Sequence, residues 1–123
     1  MFEDTKAFSG FAVDDIDKAR AFYGETLGLK TSDQHGLLFL HIAGDRDTLA
    51  YPKPGHTPAD YTILNFPVDD IEAAVDELTA RGVSFERYDG MPQDERGIMR
   101  EGGPYIAWFR DPAGNVLSVL QER

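Results

Sequence analysis

The run Phe11-Ala12-Val13-Asp14-Asp15-Ile16-Asp17-Lys18-Ala19 returns 55 positions later as Phe66-Pro67-Val68-Asp69-Asp70-Ile71-Glu72-Ala73-Ala74 in a chain of 123 residues. Phe, Val, Asp, Asp, Ile and Ala recur in one order, the mark of an internal duplication. Whatever this chain folds into must contain one plan used twice.

Each copy opens with an apolar run rich in aromatic and β-branched residues, Ala7 to Val13 and Tyr61 to Val68, which reads as a strand ended by an acidic pair. A helix follows each. Asp14 with Asp17, and Asp69 with Glu72, have the spacing of a capping box, and carboxylates there suit the helix dipole. Capping therefore accounts for both acidic pairs without invoking a metal or acid–base site. Ile16, Ala19, Tyr23 and Leu27 in the first copy, and Ile71, Ala74, Val75 and Leu78 in the second, share a helical face. Gly28 and Gly82 stand where a C-terminal glycine stops a helix.

Behind the helices the spacing predicts strands at Leu29 to Ser32, Leu37 to Ala43 and Thr48 to Tyr51, then at Val83 to Tyr88, Pro104 to Arg110 and Asn115 to Gln121. Each half is thus βαβββ, and the class is α+β. The first module is assigned to residues 1–52 and the second to 61–123, joined by the proline-rich linker 53–60. The irregular stretch Asp89 to Gly103 is long for a connection in a small domain, which makes it a candidate lid.

Asp111-Pro112-Ala113-Gly114 fits a type I turn, and a left-handed Gly114 would close a bulged hairpin pairing Asp111 with Asn115. That register puts Trp108 opposite Ser118 on one sheet face, and Phe109, Leu117 and Val119 on the other, toward the helix. The same alternation in the opening strands sends Phe8, Gly10, Tyr61, Ile63 and Asn65 away from the helices.

The balance of 12 Lys and Arg against 22 Asp and Glu, a formal charge of −10, repels phosphate backbones and anionic membranes. Neither nucleic acid nor membrane is expected as a partner. The chain has no cysteine, so thiolate chemistry and disulfides are excluded. Met-Phe-Glu-Asp-Thr-Lys lacks the basic start and apolar run of a secretion signal, and the expected location is the cytoplasm.

Val13-Asp14-Asp15-Ile16, Phe22-Tyr23 with Leu27-Gly28-Leu29, Val68-Asp69-Asp70-Ile71 with Arg81-Gly82-Val83, and Phe109-Arg110-Asp111-Pro112-Ala113-Gly114-Asn115 together resemble the vicinal oxygen chelate superfamily. That superfamily includes glyoxalase I, bleomycin-resistance and fosfomycin-resistance proteins and extradiol dioxygenases. The resemblance implies two tandem βαβββ modules forming a cup-shaped half-barrel, with the ligand inside the cup and a homodimer as the common assembly.

Where metal-dependent members carry His, Gln or Glu ligands, the resemblance places Phe8, Ile63, Ser118 and, within a residue or two, Tyr51. This set is wrong for zinc, manganese or iron, so no metal and no cofactor are expected. Among the histidines, His35 flanks a turn glycine and His56 lies among linker prolines, where exposure is expected. Only His41 lies in a strand, at a position matching Trp108, and no partner for it is evident. No nucleophile elbow surrounds Ser9, Ser32, Ser84 or Ser118.

What remains is a cup lined by Phe8, His41, Tyr51, Tyr61, Ile63 and Trp108, with Asn65 and Ser118 as polar points. Apolar walls with few polar anchors describe a small-molecule site, here for an aromatic or cationic compound. The expected function is metal-free binding of the bleomycin-resistance kind. The alternatives are a metal-dependent lyase or dioxygenase using a displaced site, and an interaction domain whose side chains fill the cup.

Overall fold

The computed structural model describes residues 1–123 and divides into two compact units, Met1–Pro58 and Ala59–Arg123. In the first, β1 (Gly10–Val13) leads into α1 (Ile16–Arg20), then β2 (Lys30–Gln34), β3 (Leu37–His41) and β4 (Thr48–Pro52). The sheet order is β1-β4-β3-β2, with β1 parallel to β4 and the other pairs antiparallel. In the second unit β5 (Thr62–Pro67) leads into α2 (Ile71–Ala80), β6 (Tyr105–Arg110) and β7 (Val116–Gln121), in the order β5-β7-β6. Again the opening strand lies parallel to the last. The duplication read in the sequence is thus repeated in the connectivity.

The second sheet has one strand fewer than expected. In the stretch Val83 to Tyr88, Phe85 alone bridges to Phe109, and the Glu86 N–H donates to the Trp108 carbonyl at 2.8 Å. A continued ladder would return a bond to the Glu86 carbonyl. Instead that carbonyl accepts from Gln93 Nε2 at 2.9 Å, while Gln93 Oε1 accepts from the Tyr88 N–H at 2.8 Å. One glutamine side chain takes the backbone groups that would have extended the strand.

Both helices begin one residue later than the spacing predicts. Asp15, extended at φ −137°, accepts from the amides of Asp17 and Lys18, and Asp70, at φ −138°, accepts from Ala73. Asp14 and Asp69 are not the caps, and no box closes. Three residues beyond Asp15 and Asp70 stand Lys18 and Ala73, leaving Asp17 and Glu72 to the field of the first turn. α1 continues as a π-helical turn, Ala21–Thr26, in which the Leu27 amide reaches back to the Phe22 carbonyl. The extra residue seats Tyr23, fully buried, against Phe11 with ring centres 5.6 Å apart. α2 closes with both bonds of a Schellman cap, Val83 to Leu78 and Gly82 to Thr79, around Gly82 at φ +93°.

Period-two burial places Phe11, Val13, Leu38, Leu40 and Ala50 in the core of the first unit. Ala107, Phe109, Leu117 and Val119, with Ile71 and Val75 of α2, form that of the second. The loop Asp89 to Gly103, expected as a lid, is tied down. Ile98 is fully buried, Met99 exchanges two backbone bonds with Ile106, and Arg96 and Arg100 pair with Asp76 and Glu72 of α2. The hairpin at Asp111 has the predicted register: the Asp111 amide donates to the Asn115 carbonyl, Gly114 stands at φ +87°, and Trp108 pairs with Ser118. Asp111 fixes this turn further by accepting from the Ala113 and Asn115 amides.

Candidate ligand-binding site

In the second unit α2 lies on β6 and β7 and covers the apolar face that carries Phe109 and Leu117. Trp108 and Ser118 lie on the opposite face, directly paired, and Ser118 pairs in turn with Asn65. Trp108, Ser118 and Asn65 therefore form one row across three strands. Ser118 is fully buried and its hydroxyl donates to Asn65 Oδ1 at 2.5 Å. Its donor holds the exposed Asn65 carboxamide, whose NH2 group is left as the second polar point of the row.

β5 carries a bulge at Ile63. Thr62 pairs with Val116 and Leu64 with Leu117, so Ile63 is an inserted residue without a rung of its own. Thr62, paired with Val116 two residues before Ser118, holds the neighbouring rung on the Trp108 face. Tyr61 precedes the strand and is 68% exposed.

The wall beside Trp108 is one the sequence reading missed. Tyr88 meets the indole edge-on, with ring centres 5.5 Å apart, in the geometry favoured by aromatic quadrupoles. Burial raises the Tyr88 phenol above its ordinary value, more than the nearby Arg110 lowers it. Arg110, two residues from Trp108 and on the same face, is held by Glu86 and by the Gly114 carbonyl at 2.8 Å. The half-buried indole donates its N–H to no protein group. No spacing in the sequence marks Tyr88, because its backbone is set by the Gln93 side chain that ends the strand.

In the first unit Phe8, 63% exposed, lies ahead of β1 and lines an open cavity of about 210 Å³ with Lys6, Phe39, Asp45, Arg46 and Asp47. Tyr51 is exposed on β4. His41, exposed at the end of β3, has the partners that sequence reasoning did not find: Ser32 Oγ lies 2.9 Å from Nε2 and Asp47 Oδ1 2.9 Å from Nδ1. His35, at φ +54° beside Gly36 at φ +79°, is a turn residue. His56 is half-buried with Nε2 enclosed and unpartnered, against the expectation of exposure.

The residues do not suit a divalent metal. Phe8 and Ile63 have no ligating atom, the Ser118 hydroxyl is engaged by Asn65, and no three His, Cys, Asp or Glu side chains are grouped to hold an ion.

The family description "Glyoxalase/Bleomycin resistance protein/Dioxygenase superfamily" matches residues 7–119, and the chain belongs to this superfamily. Among solved structures it is similar to TnmS3, described as an antibiotic binding protein from Streptomyces sp. CB03234, at 28% identity and TM-score 0.68, covering 95% of this chain and 96% of that one. A superfamily member from Sphaerobacter thermophilus is 25% identical with TM-score 0.67, covering 94% and 97%. The fosfomycin resistance protein FosX of Mesorhizobium loti shares the fold at 13% identity and TM-score 0.68, over all of this chain and 95% of its own. No curated protein matches the chain. No helix is long and apolar enough to cross a membrane.

Proposed function

We propose that this protein binds a small planar aromatic compound on the Trp108 face without a metal, in the manner of the bleomycin-resistance branch of its superfamily. The observation that carries this reading is the half-buried indole, braced edge-on by Tyr88, with its N–H uncommitted and the Asn65 carboxamide in the same row. A rigid aromatic face with two polar points offers stacking area and orientation together. The charge of −10 favours a cationic ligand. The likeness to TnmS3 at 28% identity supports binding over turnover as the inherited use of the fold. The assembly proposed with it is a homodimer in the cytoplasm.

Quenching of the single tryptophan, followed by calorimetry, against a panel of polycyclic aromatic antibiotics and aromatic cations tests the reading. A binder in the panel is expected. Trp108→Ala should weaken it by roughly tenfold or more, the scale of about 1.5–3 kcal/mol for a buried aromatic contact. Silence across the panel, or undiminished affinity in the variant, overturns the site.

A further inference from the structure

We propose that Ser32 is an activated nucleophile, giving the first unit a latent acyl-transfer activity toward small activated esters. This goes beyond ligand binding at Trp108 and does not rest on it, since every residue involved lies within Met1–Pro58.

Ser32 Oγ is 2.9 Å from His41 Nε2, and His41 Nδ1 is 2.9 Å from Asp47 Oδ1. An ionised carboxylate only accepts, so Nδ1 carries the imidazole proton and donates to Asp47. In the neutral ring Nε2 is then the acceptor, and the Ser32 hydroxyl donates to it. These are the roles of nucleophile, base and orienting acid, assembled here without an elbow motif. The alignment comes from the hairpin. The His35-Gly36 turn pairs Lys30 with His41 and Ser32 with Phe39, so Ser32 and His41 are diagonal neighbours on one sheet face, and Asp47 approaches from the β3–β4 connection.

The trio is reachable. The side chains of His41 and Asp47 are 40% and 45% exposed, and Asp47 lines the open cavity shared with Phe8 and Phe39, whose rings offer a surface for an aryl leaving group. β2 is an edge strand, so alternate backbone N–H groups beside Ser32 lack ladder partners, the type of donor that receives an oxyanion.

The reaction balances with water as co-reactant. Ser32 Oγ bonds to the ester carbonyl carbon while its proton passes to Nε2. The ester C–O bond breaks, the leaving alcohol or phenol takes that proton, and an acyl-Ser32 remains. Water then attacks the acyl carbon, gives a proton to Nε2, and releases the acid as that proton returns to Ser32 Oγ.

Two probes test this on the intact chain: turnover of p-nitrophenyl acetate, and labelling by a phosphonyl fluoride with the modified peptide mapped by mass spectrometry. The label is expected on Ser32. Ser32→Ala should abolish labelling there and lower turnover at least tenfold, with His41→Ala similar and Asp47→Asn weaker. Ser32 and His41 are exposed and Asp47 is half-buried, and circular dichroism should show wild-type folding in each variant. Absence of label on Ser32, or turnover unchanged in Ser32→Ala, overturns the proposal. Turnover lost in His41→Ala but kept in Ser32→Ala assigns the reaction to the imidazole alone and overturns it equally. Binding at Trp108 is followed separately by tryptophan quenching, while labelling and turnover report on Ser32, so failure here and failure of the binding site are read from different signals.

Discussion

Asp15 and Asp70 show how a residue's role depends on a single position. Asp15 and Asp70, extended and with their carboxylates on the first helical amides, are the caps, each one residue beyond the Asp14 and Asp69 that the spacing predicts. Asp15→Ala and Asp70→Ala should each cost about 1 kcal/mol in urea unfolding, whereas Asp14→Ala and Asp69→Ala should be near neutral. Gly82 makes the corresponding point at a helix end. A Cβ there would meet nothing within 4 Å, but φ is +93°, so Gly82→Ala should destabilise through backbone strain alone, by about 1 kcal/mol. A thermal melt of the variant checks this. The cap motif was legible from sequence to within one residue, because the two neighbouring aspartates are chemically identical and only the position of the first helical amides tells which one caps.

At the scale of elements, the stretch 93–100 behaves as a clip. Gln93 holds three backbone groups across the loop, and Asp94 accepts from the amides of Arg96 and Ile98 and from Arg100. Burial pushes the Asp94 carboxyl upward, but the two amides and the Arg100 guanidinium outweigh it, and it lies below the usual aspartate range. A carboxyl whose folded value is lowered stabilises above its unfolded value, and that contribution is lost as pH falls toward the folded one. Asp94→Ala should therefore lower stability at neutral pH by about 1–3 kcal/mol, with the gap to wild type closing below about pH 4. Urea midpoints measured across pH would show it. Gln93 is the reason the expected strand at Val83 to Tyr88 failed: its side chain competes for backbone groups that pattern alone assigns to a ladder. The Asp111 hairpin was legible in full, because proline, glycine and an Asx-type aspartate each fix the backbone locally.

For the whole molecule, the charge of −10 and a pI near 4.5 predict that turbidity rises sharply as pH is lowered toward that value, where mutual repulsion between copies vanishes. Light scattering through a pH titration measures it. The sequence by itself determined the duplication, the α+β class, the superfamily and the Trp108–Ser118 register, because these follow from local periodicity, turn chemistry and repeated order. Only the tertiary structure decided which residues meet. The Asn65–Ser118 bond joins residues 53 apart, the Tyr88 ring reaches Trp108, and Asp47 completes His41. Such pairs depend on strand neighbours, a bulge and loop paths. Those are fixed by packing across the chain, and no local spacing encodes them. The repeat therefore announced the scaffold, while the contacts that give its two faces their chemistry arose where the two copies diverge.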